Sequence, residues 1–89
     1  MFEPLPPLTV APNPSAGLTT LTYALAKPAV VTLTVVGGTG RTVATLTSGE
    51  QAAGPRTVLF TSADLPVGLY TCRLQTPTGS RAVRLVVGR

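Results

Sequence analysis

Four stretches of this chain carry apolar side chains at every second position. Leu21, Tyr23 and Leu25 alternate with Thr20, Thr22 and Ala24; Val31, Leu33 and Val35 with Thr32 and Thr34; Tyr70, Cys72 and Leu74 with Thr71, Arg73 and Gln75; Val83, Leu85 and Val87 form the last set. A period of two places such a set on one face of a strand, whereas a helix needs a period near 3.6. Each apolar face must be buried against something, and in a chain of 89 residues the available partner is a second sheet of the same chain.

The punctuation between these runs agrees. Leu8 to Ala11 reads as a short first strand, stopped by Pro12-Asn13-Pro14, where two prolines enforce a turn or crossover. Lys27-Pro28 ends the second strand, and Gly37-Gly38-Thr39-Gly40 turns the chain between Ala29–Val36 and a strand over Arg41–Thr47. The facing of that fourth strand stays open, with either Val43 and Thr45 or Ala44 and Leu46 inward. A loop is expected from Ser48 to Pro55, then a strand from Arg56 to Thr61 with Val58 and Phe60 on one side, a corner at Leu65-Pro66-Val67-Gly68, and a tight turn at Pro77-Thr78-Gly79-Ser80. Seven short strands with a turn every 8–12 residues predict an all-β fold, a seven-stranded immunoglobulin-like antiparallel β-sandwich. It is expected over residues 8–89, preceded by a Pro-rich linker over residues 1–7 in which Pro4, Pro6 and Pro7 donate no backbone hydrogen bond.

Composition narrows what such a sandwich can do. At 44% hydrophobic and 11% charged residues, the chain lies outside the disordered class. There is no His, and the side-chain carboxylates are Glu3, Glu50 and Asp64, placed in the linker, a loop and a corner without any motif relationship. General acid–base or nucleophilic catalysis has no set of groups to work with. The chain is therefore not expected to be an enzyme. The single cysteine, Cys72, points inward by alternation and reads as an inert buried thiol. Metal ligation lacks a His or Cys cluster, a Ca²⁺ loop near Glu50 lacks an acidic series, and no cofactor is expected. Gly37-Gly38-Thr39-Gly40 lacks the Gly-Lys-Ser/Thr ending and following helix of a phosphate loop, so a hairpin turn is the better account.

Seven basic against three acidic residues give a net charge of +4 and a pI near 10.3. Lys27, Arg41, Arg56, Arg73, Arg81, Arg84 and Arg89 are scattered singly, with no aromatic platform between them. That pattern argues against nucleic acid, while a weaker anionic contact through Arg81, Arg84 and Arg89 stays open. Met1-Phe2-Glu3-Pro4 has neither the basic region nor the apolar core of a signal peptide. An exported parent is expected to carry its signal upstream, with Met1 an expression start added to a fragment. No apolar stretch approaches the ~20 residues of a membrane helix.

Taken in order, the motifs resemble the type A C-terminal sorting domain of type IX secretion cargo. Pro12-Asn13-Pro14 is similar to that family's opening Pro-Asn-Pro. Leu33-Thr34-Val35 followed by Thr39-Gly40-Arg41-Thr42-Val43 resembles its central hairpin, and Gly49-Glu50-Gln51-Ala52-Ala53-Gly54 resembles the loop after it. Leu65-Pro66-Val67-Gly68-Leu69-Tyr70 fits a Leu-x-x-Gly-x-Tyr signature, and Arg84-Leu85-Val86-Val87-Gly88-Arg89 resembles the basic-apolar ending. Cys72 replaces a frequently aromatic position, and Gly37 and Gly38 replace a more usual Asp and apolar residue.

The resemblance implies a secretion signal. Covalently attached N-terminal cargo crosses the inner membrane, the domain folds in the periplasm, and the outer-membrane translocon binds it and exports the cargo to the cell surface or medium. There a sortase-like peptidase removes the domain, and some cargo is anchored to anionic lipopolysaccharide. It also implies that Leu85, Val86, Val87 and Arg89 are read by the translocon. Pro12, Asn13, Pro14, Gly40, Arg41, Leu65, Gly68 and Tyr70 have structural roles that compete with a signal role. In particular, Gly68 supplies backbone freedom beside a corner, and the Tyr70 hydroxyl reaches a backbone partner as in a tyrosine corner. The rival is an adhesive, carbohydrate-binding or spacer immunoglobulin-like module of an exported protein. With Tyr23, Phe60 and Tyr70 expected inward, a glycan-binding aromatic platform is weak. A monomer is expected in dilute solution.

Overall fold

A computed structural model describes residues 8–12 and 17–88. The elements run β1 (Leu8–Ala11), β2 (Leu18–Leu25), β3 (Ala29–Val36), β4 (Thr42–Gln51), β5 (Gly54–Thr61), β6 (Gly68–Thr76) and β7 (Gly79–Val87). They form a three-stranded sheet in the order β1-β2-β5 and a four-stranded sheet in the order β4-β3-β6-β7, every pairing antiparallel. The fold is thus an immunoglobulin-like sandwich. The proposed linker at residues 1–7, together with Asn13, Pro14 and Arg89, lies outside the described residues.

The core is the set that alternation selects. Leu21, Val31, Leu33, Val35, Cys72, Leu74 and Leu85 are fully buried, and Tyr23, Leu25, Tyr70, Val87 and Leu8 nearly so. Burying one large aliphatic side chain contributes roughly 1.5–3 kcal/mol, so these residues decide register. A one-residue slip of β3 would expose Val31, Leu33 and Val35 together. Thr19 and Ser62 are the buried polar residues outside this set. The Ser62 amide and hydroxyl both donate to the Gly17 carbonyl, at 2.8 and 2.9 Å, tying the start of β2 to the end of β5.

β4 departs from simple alternation because of how it pairs with β3. Its register against β3 skips Leu46 between Thr47 and Thr45, and Val43 between Ala44 and Thr42. These are bulges, which add a residue to one strand and re-aim its side chains. Ala44 and Leu46 therefore both pack against the core, while Val43 stays on the surface, which decides the facing that the sequence leaves open.

The expected loop over Ser48–Pro55 is a correction. Ser48 to Gln51 continue β4, Gly54 and Pro55 begin β5, and only Ala52 and Ala53 connect them. Here the chain changes sheets: Gln51 pairs with Ala29, and Gly54, at φ +120°, pairs with Leu25 of the other sheet. A polar, glycine-containing stretch fits an edge strand as well as a loop, because one side of an edge strand faces water. The sharp corner needs a left-handed φ that glycine supplies without Cβ strain.

Candidate functional site

The reactive groups bound the chemistry open to this sandwich. Among the described residues no three of His, Cys, Asp and Glu gather where they could hold a metal. Cys72 is fully buried, and burial pushes its thiol up from 9.0 to about 11. The reactive thiolate is thereby disfavoured at neutral pH. Glu50 and Asp64 stand exposed on β4 and in the β5–β6 connection.

The described motif residues fall at turns or just beside them. Gly40, at φ +85°, donates its amide to the Gly37 carbonyl at 3.0 Å, and the Gly37 amide donates to the Arg41 carbonyl at 2.8 Å. Gly40 and Arg41 thus close the β3–β4 hairpin, with the Arg41 side chain exposed. Leu65, half-buried against the core, donates its amide to Ser62 at 3.0 Å. The Tyr70 ring is buried and its hydroxyl donates to the Pro66 carbonyl at 2.7 Å, which is a tyrosine corner. Pro12 follows β1 and is exposed, its bond to Ala11 cis.

Gly68 differs from its expected role. Its φ is not in the left-handed region, and an added Cβ would meet only Tyr70 Cε1, at 4.0 Å, an ordinary contact. Neither backbone freedom nor close approach calls for glycine at this position.

Of the four residues expected to be read by a partner, Arg89 lies outside the described residues, and the other three do not share one environment. Leu85 and Val87 are core residues. Val86 points outward from edge strand β7, 37% exposed, opposite Leu69 of β6, 50% exposed. Val67, just before β6, is also exposed. Farther along the same face, Arg84 lies opposite Thr71 and Arg73 opposite Ala82. The two arginines sit diagonally on neighbouring strands, within reach of each other's partners. The outer face of β6 and β7 thus presents an apolar end formed by Leu69 and Val86, beside a basic stretch. Such a face offers apolar and cationic contacts side by side.

Sequence reasoning missed one polar assembly. The Tyr23 hydroxyl donates to Gln51 Oε1 at 2.5 Å, Gln51 Nε2 donates to Thr47 Oγ1 at 3.0 Å, and Arg56 Nη2 donates to the Ala52 carbonyl at 2.8 Å. These bonds brace the sheet-changing corner from β2, β4 and β5. Burial raises the Tyr23 pKa, against smaller lowering effects from the Gln51 bond and the Arg56 charge. Arg56 Nε is buried without a hydrogen bond among the described residues. The available signal was Tyr23 itself, since a buried tyrosine hydroxyl requires a partner. No family model matches the chain, and no curated protein and no solved structure matches it either.

Proposed function

We propose that this chain is a C-terminal sorting domain that directs covalently attached cargo through a type IX outer-membrane translocon. In this reading the domain folds in the periplasm, is bound by the translocon, and is removed at the cell surface by a sortase-like peptidase, after which cargo is released or linked to anionic lipopolysaccharide. What supports it is the agreement between an ordered motif series and the turns of a sandwich. Gly40-Arg41 closes the β3–β4 hairpin, Leu65 to Tyr70 form the β5–β6 corner, and Arg84 to Val87 lie on an edge strand. The recognition surface in this reading is the outer face at Leu69 and Val86, with Arg84 beside it. Leu85 and Val87 serve it indirectly, by seating β7.

The test fuses residues 1–89 behind a periplasm-directed reporter and compares surface and medium signal in type IX-competent and translocon-deficient cells. Export in competent cells alone is the expected result. Retention in both, with reporter and domain folded, would refute sorting and leave the adhesive or spacer module as the reading.

A further inference from the structure

The two sheets differ by one strand, and the difference falls on one flank. β1 lies alongside β7, and on that side Leu8, Leu85 and Val87 are buried. On the opposite flank the edges are β4 and β5. Ala44, Leu46, Val58 and Phe60 pack against the core there but remain only half-buried. A fourth strand beside β5 would cover them.

The sheet edges are not equally protected. β1 has four residues, β4 is interrupted by two bulges, and β7 carries Arg81 and Arg84. Short length, bulges and charge all discourage strand addition. β5 carries Pro55 and Arg56 at its start, but Thr57-Val58-Leu59-Phe60-Thr61 has no charge, proline or glycine. Among the described residues it is hydrogen-bonded to β2 on one side and to no strand on the other.

We infer that this free edge pairs with the β5 edge of a second copy of the chain, in antiparallel register centred on Leu59. The inference is independent of the sorting role. The segment is self-complementary: about Leu59, Val58 meets Phe60 and Thr57 meets Thr61 of the other copy, as a two-fold interface requires. The period-two match keeps the inward set, Val58 and Phe60, on the core side, where the partner strand covers the open flank. The outward Leu59 side chains, 64% exposed in the single chain, meet each other across the axis. Electrostatics favour this edge, because two copies of net charge +4 repel where their cations approach. In this register Arg56 stands opposite Ser62, so the arginines fall at the two ends of the ladder. Each is also tied back to its own Ala52 carbonyl at 2.8 Å. Five residues per copy make an interface well below the roughly 1,200 Å² of the smallest stable complexes, so the pairing is weak and reversible.

Sedimentation velocity on the full chain, from about 10 µM to about 1 mM, the range suited to an interface of this class, tests the pairing. The weight-average mass is expected to rise from 9.1 kDa toward twice that value, and L59K, which opposes two lysines across the axis, is expected to hold it at the single-chain value. Thermal unfolding of L59K must remain cooperative for that comparison. Under mild oxidation, L59C is expected to form a disulfide dimer while L18C, exposed on the outer face of neighbouring β2, stays monomeric. A mass constant over the whole range would overturn the inference, as would self-association unaffected by L59K or preferential crosslinking through L18C, which would indicate stacking of outer faces instead.

Discussion

Removing a single oxygen from Tyr70 tests the tyrosine corner. In Tyr70→Phe the ring, 8% exposed, keeps its place in the core, and only the 2.7 Å bond to the Pro66 carbonyl is lost. That distance is at the mode for O–H···O bonds, and a neutral hydrogen bond contributes roughly 0.5–1.5 kcal/mol net. Pro66 is exposed, so its carbonyl recovers a water partner, and the loss stays short of the roughly 1–3 kcal/mol for an orphaned buried group. The expected cost is therefore about 1 kcal/mol. For a domain of this size that corresponds to a fall in Tm of about 4–8 °C, or a urea midpoint lower by about 0.3–1 M with the m-value unchanged. Tyr70→Ala removes the ring as well and is expected to cost about 3–5 kcal/mol. Equilibrium urea unfolding of the three proteins, followed by circular dichroism, separates the terms. A Tyr70→Phe protein within about 0.3 kcal/mol of the parent, below the usual range of such bonds, would show that the corner bond adds nothing. Losses as large as those of Tyr70→Ala would mean that the hydroxyl does more than bond an exposed carbonyl.

Two further outcomes follow from burial. The Cys72 thiol, raised from 9.0 to about 11 by desolvation, binds its proton more tightly folded than unfolded. Roughly 2–3 kcal/mol of stability is thus fully present below pH 9 and lost as the pH rises through about 11. Urea unfolding across pH 8–11 should show this decline, and Cys72→Ala should flatten it, leaving the smaller same-direction effect of Tyr23 above pH 10; an unchanged slope in Cys72→Ala would refute the assignment. On β7, Leu85→Ala is expected to cost about 2–5 kcal/mol, whereas Val86→Asp, which puts a poor strand former opposite Leu69, should cost only about 1 kcal/mol yet abolish reporter export. Full export of a folded Val86→Asp protein would remove this face from recognition.

Where the sequence is informative, local physics repeats in the fold. The inward sets of β2, β3, β6 and β7 follow from a two-residue period because both faces of an interior strand, and the core face of β7, have one environment along their length. β4 was illegible because bulges at Leu46 and Val43 are set by pairing with β3, which no local pattern encodes. Gln51 was misplaced for a related reason. Its polarity suits a loop, but its amide serves a tyrosine 28 residues away on the other sheet. The Tyr70 bond was legible because donor and acceptor lie four residues apart. The Leu-x-x-Gly-x-Tyr spacing does not explain its glycine, since a Cβ at Gly68 would have room.

The end of the chain shows how alternation limits recognition. Leu85 and Val87 cannot be displayed while β7 is paired, because their side chains fill the space beneath Tyr70 and Gly68, their register partners on β6. A partner that met all of Leu85, Val86 and Val87 would have to strip β7 from the sheet and expose that core, whereas one that reads the folded domain meets Val86 together with Leu69. The two modes make opposite demands on stability. Stripping should be helped by Tyr70→Ala, which loosens β7 by removing the register partner of Leu85 and leaves every side chain of β7 in place, while surface reading should fail with it. Export that persists in Tyr70→Ala but is lost in Val86→Asp would therefore point to a signal read as an unpaired strand, and loss in both to a signal read on the folded face.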